Sequence, residues 1–300
     1  MQVSIIIVNF NTATLLKNCL NSIISQTEDI EYEIIVSDNG STDGSIEMLE
    51  DEFPDVVLLK NNANLGFGKA NNRGLSIAKG QYIFYLNSDT LLLNNTVKYF
   101  CDYMESHKKD SIGALGANLL NNENQIIHSH GKFPTFIGLS KILCRDIISQ
   151  TAKYILNLLH IKREHFLNGA IFSDSFYGKV DYITGADLFV KNDTNAKFDE
   201  HYVLYYEETD LQKQMDNIGL ERRIIDGPKI VHLEGGSKKT TGKKFTSFGN
   251  LMSYISMVYY CKKNISKLGS HILKFLIILL WLNPMHFKET KKYYSQLIAI

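Results

Sequence analysis

The sequence predicts an α/β chain built on an open sheet flanked by helices, and three observations predict it. Short apolar runs alternate with helical periods over roughly the first 120 residues. The polar motifs VNFN, SDNGSTDGS and LNSDT all fall where those runs stop, and a basic, apolar-rich segment closes the chain. Strands separated by helices argue for parallel βαβ units in one sheet, and such open sheets take ligands at the carboxyl ends of their strands.

Taken in order, Val3–Val8 is the first apolar run, and Leu15, Leu16, Cys19, Leu20, Ile23 and Ile24 follow at helical spacing. Glu33–Ser37 reads as a second strand. Ser45–Glu52 reads as a short helix for which Ser41, Thr42 and Asp43 are available caps. Val56–Leu59 is a third strand, Gly68–Lys79 a helix closed by Gly80, and Gln81–Leu86 a fourth strand. From His130 to Lys179 the pattern is less regular, with a helical segment around Ile142–His160, and it is read as an insertion over the sheet. Val180–Val190 returns to strand character. Tyr205–Ile218 is expected as a helix, and Arg222–Asp226 and Lys229–Leu233 as short strands around Gly227-Pro228.

Charge divides the chain. From Lys238 to Ile300 eleven lysines face one acid, Glu289, while the other 237 residues carry 21 basic and 31 acidic side chains. An acidic body with a basic tail suits an anionic partner of the tail, and no nucleic acid is expected. The tail's apolar run, Phe275–Leu282, is eight residues, far below the ~20 of a bilayer span. A helix lying in the membrane interface with lysines at the headgroups is therefore expected, with a core helix or a homo-oligomer contact through the tail as the other readings. The N-terminus, MQVSIIIVNF, has no basic leader and reads as a first strand. Cys19, Cys101, Cys144 and Cys261 have neither disulfide nor zinc spacing and read as reduced thiols.

The chemistry-bearing groups cluster at strand ends. Asp38 and Asn39 offer hydrogen bonds to a base or ribose, and Gly40 and Gly44 permit a tight turn there, as an Asx-turn capping the next helix also would. Gly66-Phe67-Gly68 lacks the third glycine of a dinucleotide fingerprint and follows the third strand, which disfavours a dehydrogenase. YYEETDL, Tyr205–Leu211, supplies carboxylates at a helix start, either as bases or as residues favoured by the helix dipole. His232 ends a strand, where it can ligate a metal or serve structure.

The phrases IIIVNFNT, SDNGSTDGS, NLGFGKANNRG, YLNSDT, FDEHYVLYYEETDL and VHLEGGS occur in this order over about Val3–Ser237. The series resembles glycosyltransferase family 2, and within it the rhamnosyltransferase-like enzymes of bacterial surface-polysaccharide assembly. The resemblance implies a GT-A fold, an open mixed sheet that binds a nucleotide-sugar donor, a divalent metal (manganese or magnesium) and inversion at the anomeric carbon. It implies a nucleoside held by Val8, Asn9, Asn11, Asp38 and Asn39, and a donor pocket shaped by Asn64, Gly66 and Asn71. Asn87 and Ser88 then face ribose or phosphate, Asp89 is the direct metal ligand, and His232 or water completes the metal shell. Asp187, after the Gly185-Ala186 pair, becomes an acceptor-side contact, and Glu208 the base, with a shift to Asp210 or Glu207 left open.

Three positions depart from the family pattern. Asn87-Ser88-Asp89 stands where Asp-x-Asp is frequent, Glu208 stands where aspartate is usual, and Asp210-Leu211-Gln212-Lys213-Gln214 lacks a frequent arginine. The resulting expectation is a catalytic domain over 1–237, with 130–179 as a variable acceptor-side insertion, and a membrane-associating tail over 238–300. The enzyme would transfer a sugar, rhamnose-type included, from a UDP- or dTDP-sugar to a lipid-diphosphate-linked glycan of O-antigen or capsule. It would work in the cytoplasm, peripheral on the inner face of the cell membrane. The rival readings are a catalytically inactive sugar-nucleotide-binding homologue and a nucleotidyltransferase. The second lacks its Gly-rich basic loop in VNFNTATLL.

Overall fold

In the computed structural model, which describes residues 1–159, 175–233 and 247–300, the chain divides into two compact units. The first comprises residues 1–133, 170–203 and 207–242; the second comprises 134–169, 204–206 and 243–300.

The first unit is the expected sheet. Strands β1 (Val3–Asn9), β2 (Tyr32–Asp38), β3 (Val57–Lys60) and β4 (Tyr82–Asn87) are parallel. They alternate with helices α1 (Ala13–Gln26), α2 (Ser45–Glu52) and α3 (Phe67–Leu75). Three further elements follow: β5 (Thr90–Leu92), α4 (Thr96–Ser106) and β6 (Ile112–Gly116). None of the three is read from the sequence, although Val97, Phe100, Cys101 and Met104 of α4 are buried at helical spacing. The short strands β7 (Leu119–Leu120) and β8 (His130–Gly131) come next.

The single strand expected over Val180–Val190 is three strands: β9 (Gly178–Val180), β10 (Tyr182–Ile183) and β11 (Asp187–Lys191). Each pairs elsewhere. β9 lies at the sheet edge, β10 pairs with β8, and β11 runs antiparallel between β4 and β6. Helix α6 (Glu207–Asn217) and strands β12 (Glu221–Ile224) and β13 (Ile230–His232) complete the unit. The eight-stranded order is β3-β2-β1-β4-β11-β6-β12-β9, and β5-β13-β7 form a second, small sheet.

Both faces of the large sheet are covered, which is why its central strands are almost continuously apolar. Ile5, Ile7, Val36, Phe84 and Leu86 face one cluster with α1 and α4, while Ile6, Ile35, Ile83 and Tyr85 face another with α6 and Phe198.

The second unit is helical: α5 (Phe136–Leu158), α7 (Phe248–Asn264), α8 (Lys267–Trp281), α9 (Phe287–Thr290) and α10 (Tyr294–Ala299). α5 starts six residues before the expected Ile142, where the Thr135 hydroxyl caps the Gly138 N–H at 3.1 Å. It belongs with the C-terminal helices, contributing Leu139 and Leu143 to a core completed by Met257, Val258, Leu273, Ile277 and Trp281. The run Phe275–Leu282 is thus divided lengthwise. Ile277, Leu280 and Trp281 are buried, whereas Leu268, Ile272, Phe275, Leu279 and Leu282 form an exposed apolar stripe along α8. No described helix is long and apolar enough to cross a membrane. The expected boundary at Ser237–Lys238 lies outside the described residues.

Candidate active site

Sheet register assembles the site. Asn9 pairs with Asp38, Val8 with Asn87, and Leu86 with Asp187, so four adjacent strands present Asp38, Asn9, Asn87 and Asp187 at one end of the sheet. β11 contributes its first residue there because it runs antiparallel to β4.

Asp38 and Asn9 are buried and mutually committed. The Asn9 amide donates to Asp38 Oδ2 at 2.7 Å and to Ser41 Oγ at 3.0 Å, while Asp38 Oδ1 accepts the N–H groups of Gly40 and Ser41 at 2.9 and 2.8 Å. The Asx-turn is therefore realised, with the carboxylate shaping the loop that ends β2. Ser41, Thr42 and Asp43, however, are not the N-cap of α2. That residue is Gly44, with no side-chain cap, and Asp43 accepts the Ala13 N–H at the start of α1 at 2.8 Å. Asn11, at φ 54, accepts the Thr42 N–H on its side-chain carbonyl at 2.8 Å and so ties the β1 end to the same loop. Thr12, which the sequence reading passed over in VNFNT, joins two motifs. Its hydroxyl donates to Asn9 Oδ1 at 2.6 Å and lies 2.9 Å from Ser88 Oγ.

Asn39 reaches the third loop, donating to the Gly66 carbonyl at 3.2 Å and to Asn64 Oδ1 at 3.4 Å; Asn64 Oδ1 also accepts the Gly66 N–H at 3.0 Å. Gly66 has φ 84, and a Cβ there would clash with the Val203 carbonyl, which accepts the Phe67 N–H at 3.3 Å. Only glycine fits both the conformation and the approach. Asn71 is buried and donates to the Phe67 carbonyl at 3.2 Å, an intrahelical bond that holds the start of α3.

Asp89 and His232 meet. β13 pairs antiparallel with β5, setting His232 opposite Thr90, and His232 Nε2 lies 3.2 Å from Asp89 Oδ1 with both side chains largely buried. The Leu233 N–H donates to the Asp89 carbonyl at 2.8 Å. Cys19 lies beneath this turn, its thiol 3.6 Å from the Asn87 carbonyl and 3.7 Å from Thr90 Oγ1. Burial pushes that thiol up to about 12, so it serves as a neutral packing group.

The second acidic cluster joins the first through Gly185-Ala186. The Ala186 carbonyl accepts the Asn87 N–H at 3.1 Å, and a Cβ on Gly185 would stand 3.6 Å from Glu208 Cβ and 3.3 Å from the Phe67 ring. Gln212, which stands in the segment that departs from the family pattern, fixes α6. Its side chain accepts the Ile183 N–H at 2.8 Å and donates to the Ile183 carbonyl at 2.7 Å. Glu208 is half-buried, and desolvation raises its carboxyl above the ordinary value while helix-start N–H groups pull the other way. Asp210 and Glu207 are buried on the same first turn. Asp187 is fully buried: Oδ2 accepts the Ala117 N–H at 2.6 Å, Oδ1 has no partner, and desolvation raises the carboxyl well above its ordinary value.

Among the described residues no group of three or more His, Cys, Asp or Glu side chains is set to hold a metal. Asp89 with His232 nevertheless supplies one carboxylate and one imidazole, a donor pair suited to a divalent cation whose remaining positions go to phosphate oxygens and water. The Glu234-Gly235-Gly236-Ser237 part of VHLEGGS lies outside the described residues. A separate cavity of about 560 Å³ is lined by Tyr99, Asn118, Tyr177 and Lys229, among others, and by none of the predicted site residues.

Comparison with known proteins follows the same lines. The family model described as glycosyl transferase family 2 matches residues 4–157. The poly(ribitol-phosphate) beta-glucosyltransferase of Bacillus spizizenii is 32% identical over 121 residues, which is 38% of this chain and 19% of that protein. Glycosyltransferase GlyG of Streptococcus pneumoniae is 28% identical over 215 residues, 64% of this chain and 68% of that protein. Against several curated relatives, then, the chain spans well under half of their length, 28% and 40% in two further cases.

Solved structures show the same fold. S. aureus TarS 1–349 in complex with UDP-GlcNAc superposes with a TM-score of 0.53 at 16% identity, covering 100% of this chain and 79% of that one. The Pyrobaculum calidifontis mannosyltransferase in complex with GDP-Man and Mn2+ gives 0.55 at 15%, covering 99% and 75%. The architecture is GT-A, a mixed sheet flanked by helices, as the resemblance implied.

Proposed function

The chain belongs to glycosyl transferase family 2; on that premise we propose that it is a glycosyltransferase, moving a sugar with inversion from a UDP- or dTDP-sugar to a hydroxyl of a lipid-diphosphate-linked glycan. The observation that carries the reading is that Gly185-Ala186 joins Asn87, through its N–H to the Ala186 carbonyl, to the Glu208 turn at the sheet end that also presents Asp187, while Asp89 two residues beyond Asn87 meets His232. A donor seated on Asn9, Asn11, Asp38 and Asn39 would present its diphosphate towards Asn87 and Ser88. Asn64, Gly66 and Asn71 shape the neighbouring loop. Asp89 and His232 would hold a manganese or magnesium ion, which when bound offsets the charge that builds on the leaving diphosphate.

Glu208 takes the proton of the acceptor hydroxyl as its oxygen attacks the anomeric carbon. A carboxyl raised by desolvation is a stronger base than an exposed one, which suits this task near neutral pH. Asp210 and Glu207, on the same turn, are the alternative bases. Asp187, whose carboxyl desolvation raises well above its ordinary value, would offer its unpartnered Oδ1 on the acceptor side. Inversion also fits one relative's name: it specifies a beta-glucosyl product, and the usual glucose nucleotides carry an α linkage. The exposed stripe on α8, in a segment rich in lysine, supports peripheral contact with the anionic inner face of the membrane.

The test is a panel of UDP-glucose, UDP-GlcNAc, UDP-GalNAc and dTDP-rhamnose with manganese or magnesium, read by nucleotide release and by mass spectrometry of the product. Turnover of one donor to a product of the opposite anomeric configuration supports the reading. Retention of configuration, or no turnover lost in Asp89→Ala and Glu208→Ala, overturns it.

A further inference from the structure

We propose that the cavity of about 560 Å³ lined by Tyr99, Tyr177 and Lys229 is a second carbohydrate site, which holds one neutral pyranose unit of a glycan apart from the reacting end of the sheet. The residues that line it all belong to the sheet unit. Its occupancy depends on neither the donor, the metal nor the base proposed above.

Two short strands tie the cavity to the candidate active site. β5 and β13 set Thr90 opposite His232 at one end, beside Asp89. Leu93 and Lys229 adjoin the other end, where the Leu93 N–H donates to the Lys229 carbonyl at 2.9 Å, and both line the cavity. At ~3.3 Å per residue, Lys229 and His232 are separated by roughly 10 Å of strand. The cavity is near the site but distinct from it.

The loops around the cavity are braced. The Asn94 side chain donates to the Gly227 carbonyl at 2.7 Å and accepts the Lys229 N–H at 3.1 Å. Gly227 has φ 107, and a Cβ there would stand 2.7 Å from Cδ1 of the Tyr99 ring. Glycine alone suits both the conformation and the approach, so the Tyr99 ring lies directly against backbone. The Asn118 side chain donates to the Phe176 carbonyl at 2.9 Å and accepts the Phe176 N–H at 3.1 Å, and the Phe176 ring stacks on His130 at 4.9 Å. Tyr177, the next residue, is thereby anchored through its neighbour while its own side chain stays open.

The groups left available select the ligand. Tyr99 and Tyr177 are 48% and 51% exposed, so each keeps aromatic surface free for a partner. A pyranose has a C–H face that packs on an aromatic ring, and a rim of hydroxyls that need donors and acceptors. The two tyrosines with Leu120 and Ile126 meet the first need; the exposed Asn124 amide, Asp226 and Lys229 meet the second. Such a lining, aromatic and apolar with a few polar groups, is that of small-molecule sites of ~300–1,000 Å³. An anionic ligand fits poorly. Among the described lining residues Lys229 is offset by Asp226 and no other charge is present, so a diphosphate would find no converging cations.

The test is an array of neutral di- to hexasaccharides probed with the full chain, with saturation-transfer NMR on the strongest binder. Binding to at least one saccharide is expected. Its affinity should fall about ten-fold or more in Tyr99→Ala and in Tyr177→Ala, and stay within about three-fold in Tyr99→Phe and Tyr177→Phe, which keep the ring. Both tyrosines are half-exposed, so the alanine variants should melt with the wild type and bind UDP as it does. Absence of binding to every saccharide overturns the proposal, as does binding that survives both alanine substitutions. Saccharide binding lost in Glu208→Gln would place the ligand in the candidate active site, and UDP binding lost in Tyr99→Ala would make the cavity a nucleotide pocket; either overturns it. The array uses no donor, metal or turnover, so its failure leaves the glycosyltransfer reading standing, and a failed donor panel leaves this site standing.

Discussion

His232 Nε2 stands 3.2 Å from Asp89 Oδ1, held there because β13 returns antiparallel along β5 after nearly half the chain has intervened. If the pair holds the divalent ion, Asp89→Asn should lower kcat/KM by about 100-fold or more, a loss of roughly 2.7 kcal/mol of transition-state stabilisation. His232→Ala should weaken Mn2+ binding about 10-fold or more, measured by electron paramagnetic resonance titration. EDTA should abolish turnover and added manganese restore it. Full activity in EDTA would remove the metal from the mechanism.

Glu208 gives a prediction in pH. A base must be ionised to act, and desolvation raises this carboxyl, so the acid limb of kcat/KM should lie above the ordinary glutamate value of about 4.3. Glu208→Gln should cut kcat by about 100- to 10,000-fold and erase that limb. A limb that survives the substitution assigns the base to Asp210 or Glu207.

Asp187 makes a stability prediction of definite sign. Its carboxyl is raised in the folded state, so the stability it contributes is complete below its unfolded value, about 3.9, and is lost as pH rises towards its folded value. Asp187→Asn keeps an acceptor for the Ala117 N–H and carries no such loss. The variant's melting temperature relative to wild type should therefore climb as pH rises from about 4 towards neutral, levelling once the folded carboxyl ionises. The slope corresponds to roughly 1.4 kcal/mol per pH unit while only the unfolded side chain is ionised. Parallel melting curves across that range would contradict the burial argument.

The α8 stripe is tested on vesicles. Leu268→Ser, Phe275→Ser and Leu279→Ser together remove three exposed apolar side chains without touching Ile277, Leu280 or Trp281 in the core. Partition onto vesicles containing anionic lipid should drop at least about ten-fold, since one fully buried apolar side chain is worth roughly 1.5–3 kcal/mol. Equal sedimentation of the variant would dismiss the membrane contact.

Much of this protein was legible in its sequence because the information is local. Apolar runs of strand length and helical periods set β1 to β4 and α1 to α3, and motif residues Asn9, Asp38, Asn87 and Asp89 fall where those strands end. α4 carried a readable apolar period and was missed. β6, Ile-Gly-Ala-Leu-Gly, offered no such pattern, since two glycines in five residues speak against a strand by composition. The break of Val180–Val190 into three strands was not legible at all. Alternation along a segment cannot tell which partner each part will pair with, and here the partners are β12, β8 and β4 with β6.

Sequence alone determined the order of the first strands and helices, the strand-end position of the polar motifs, and the family. Local periodicity and motif spacing are properties of neighbouring residues. Tertiary structure decided the rest. It brought His232 to Asp89, set Asp187 into the sheet end through an antiparallel β11, linked Asn87 to the Glu208 turn through Gly185-Ala186, and gave α5 and residues 204–206 to the helical unit. Each of those depends on pairing and packing between segments far apart in the chain, where the free energy of burial chooses among arrangements that local pattern leaves equivalent.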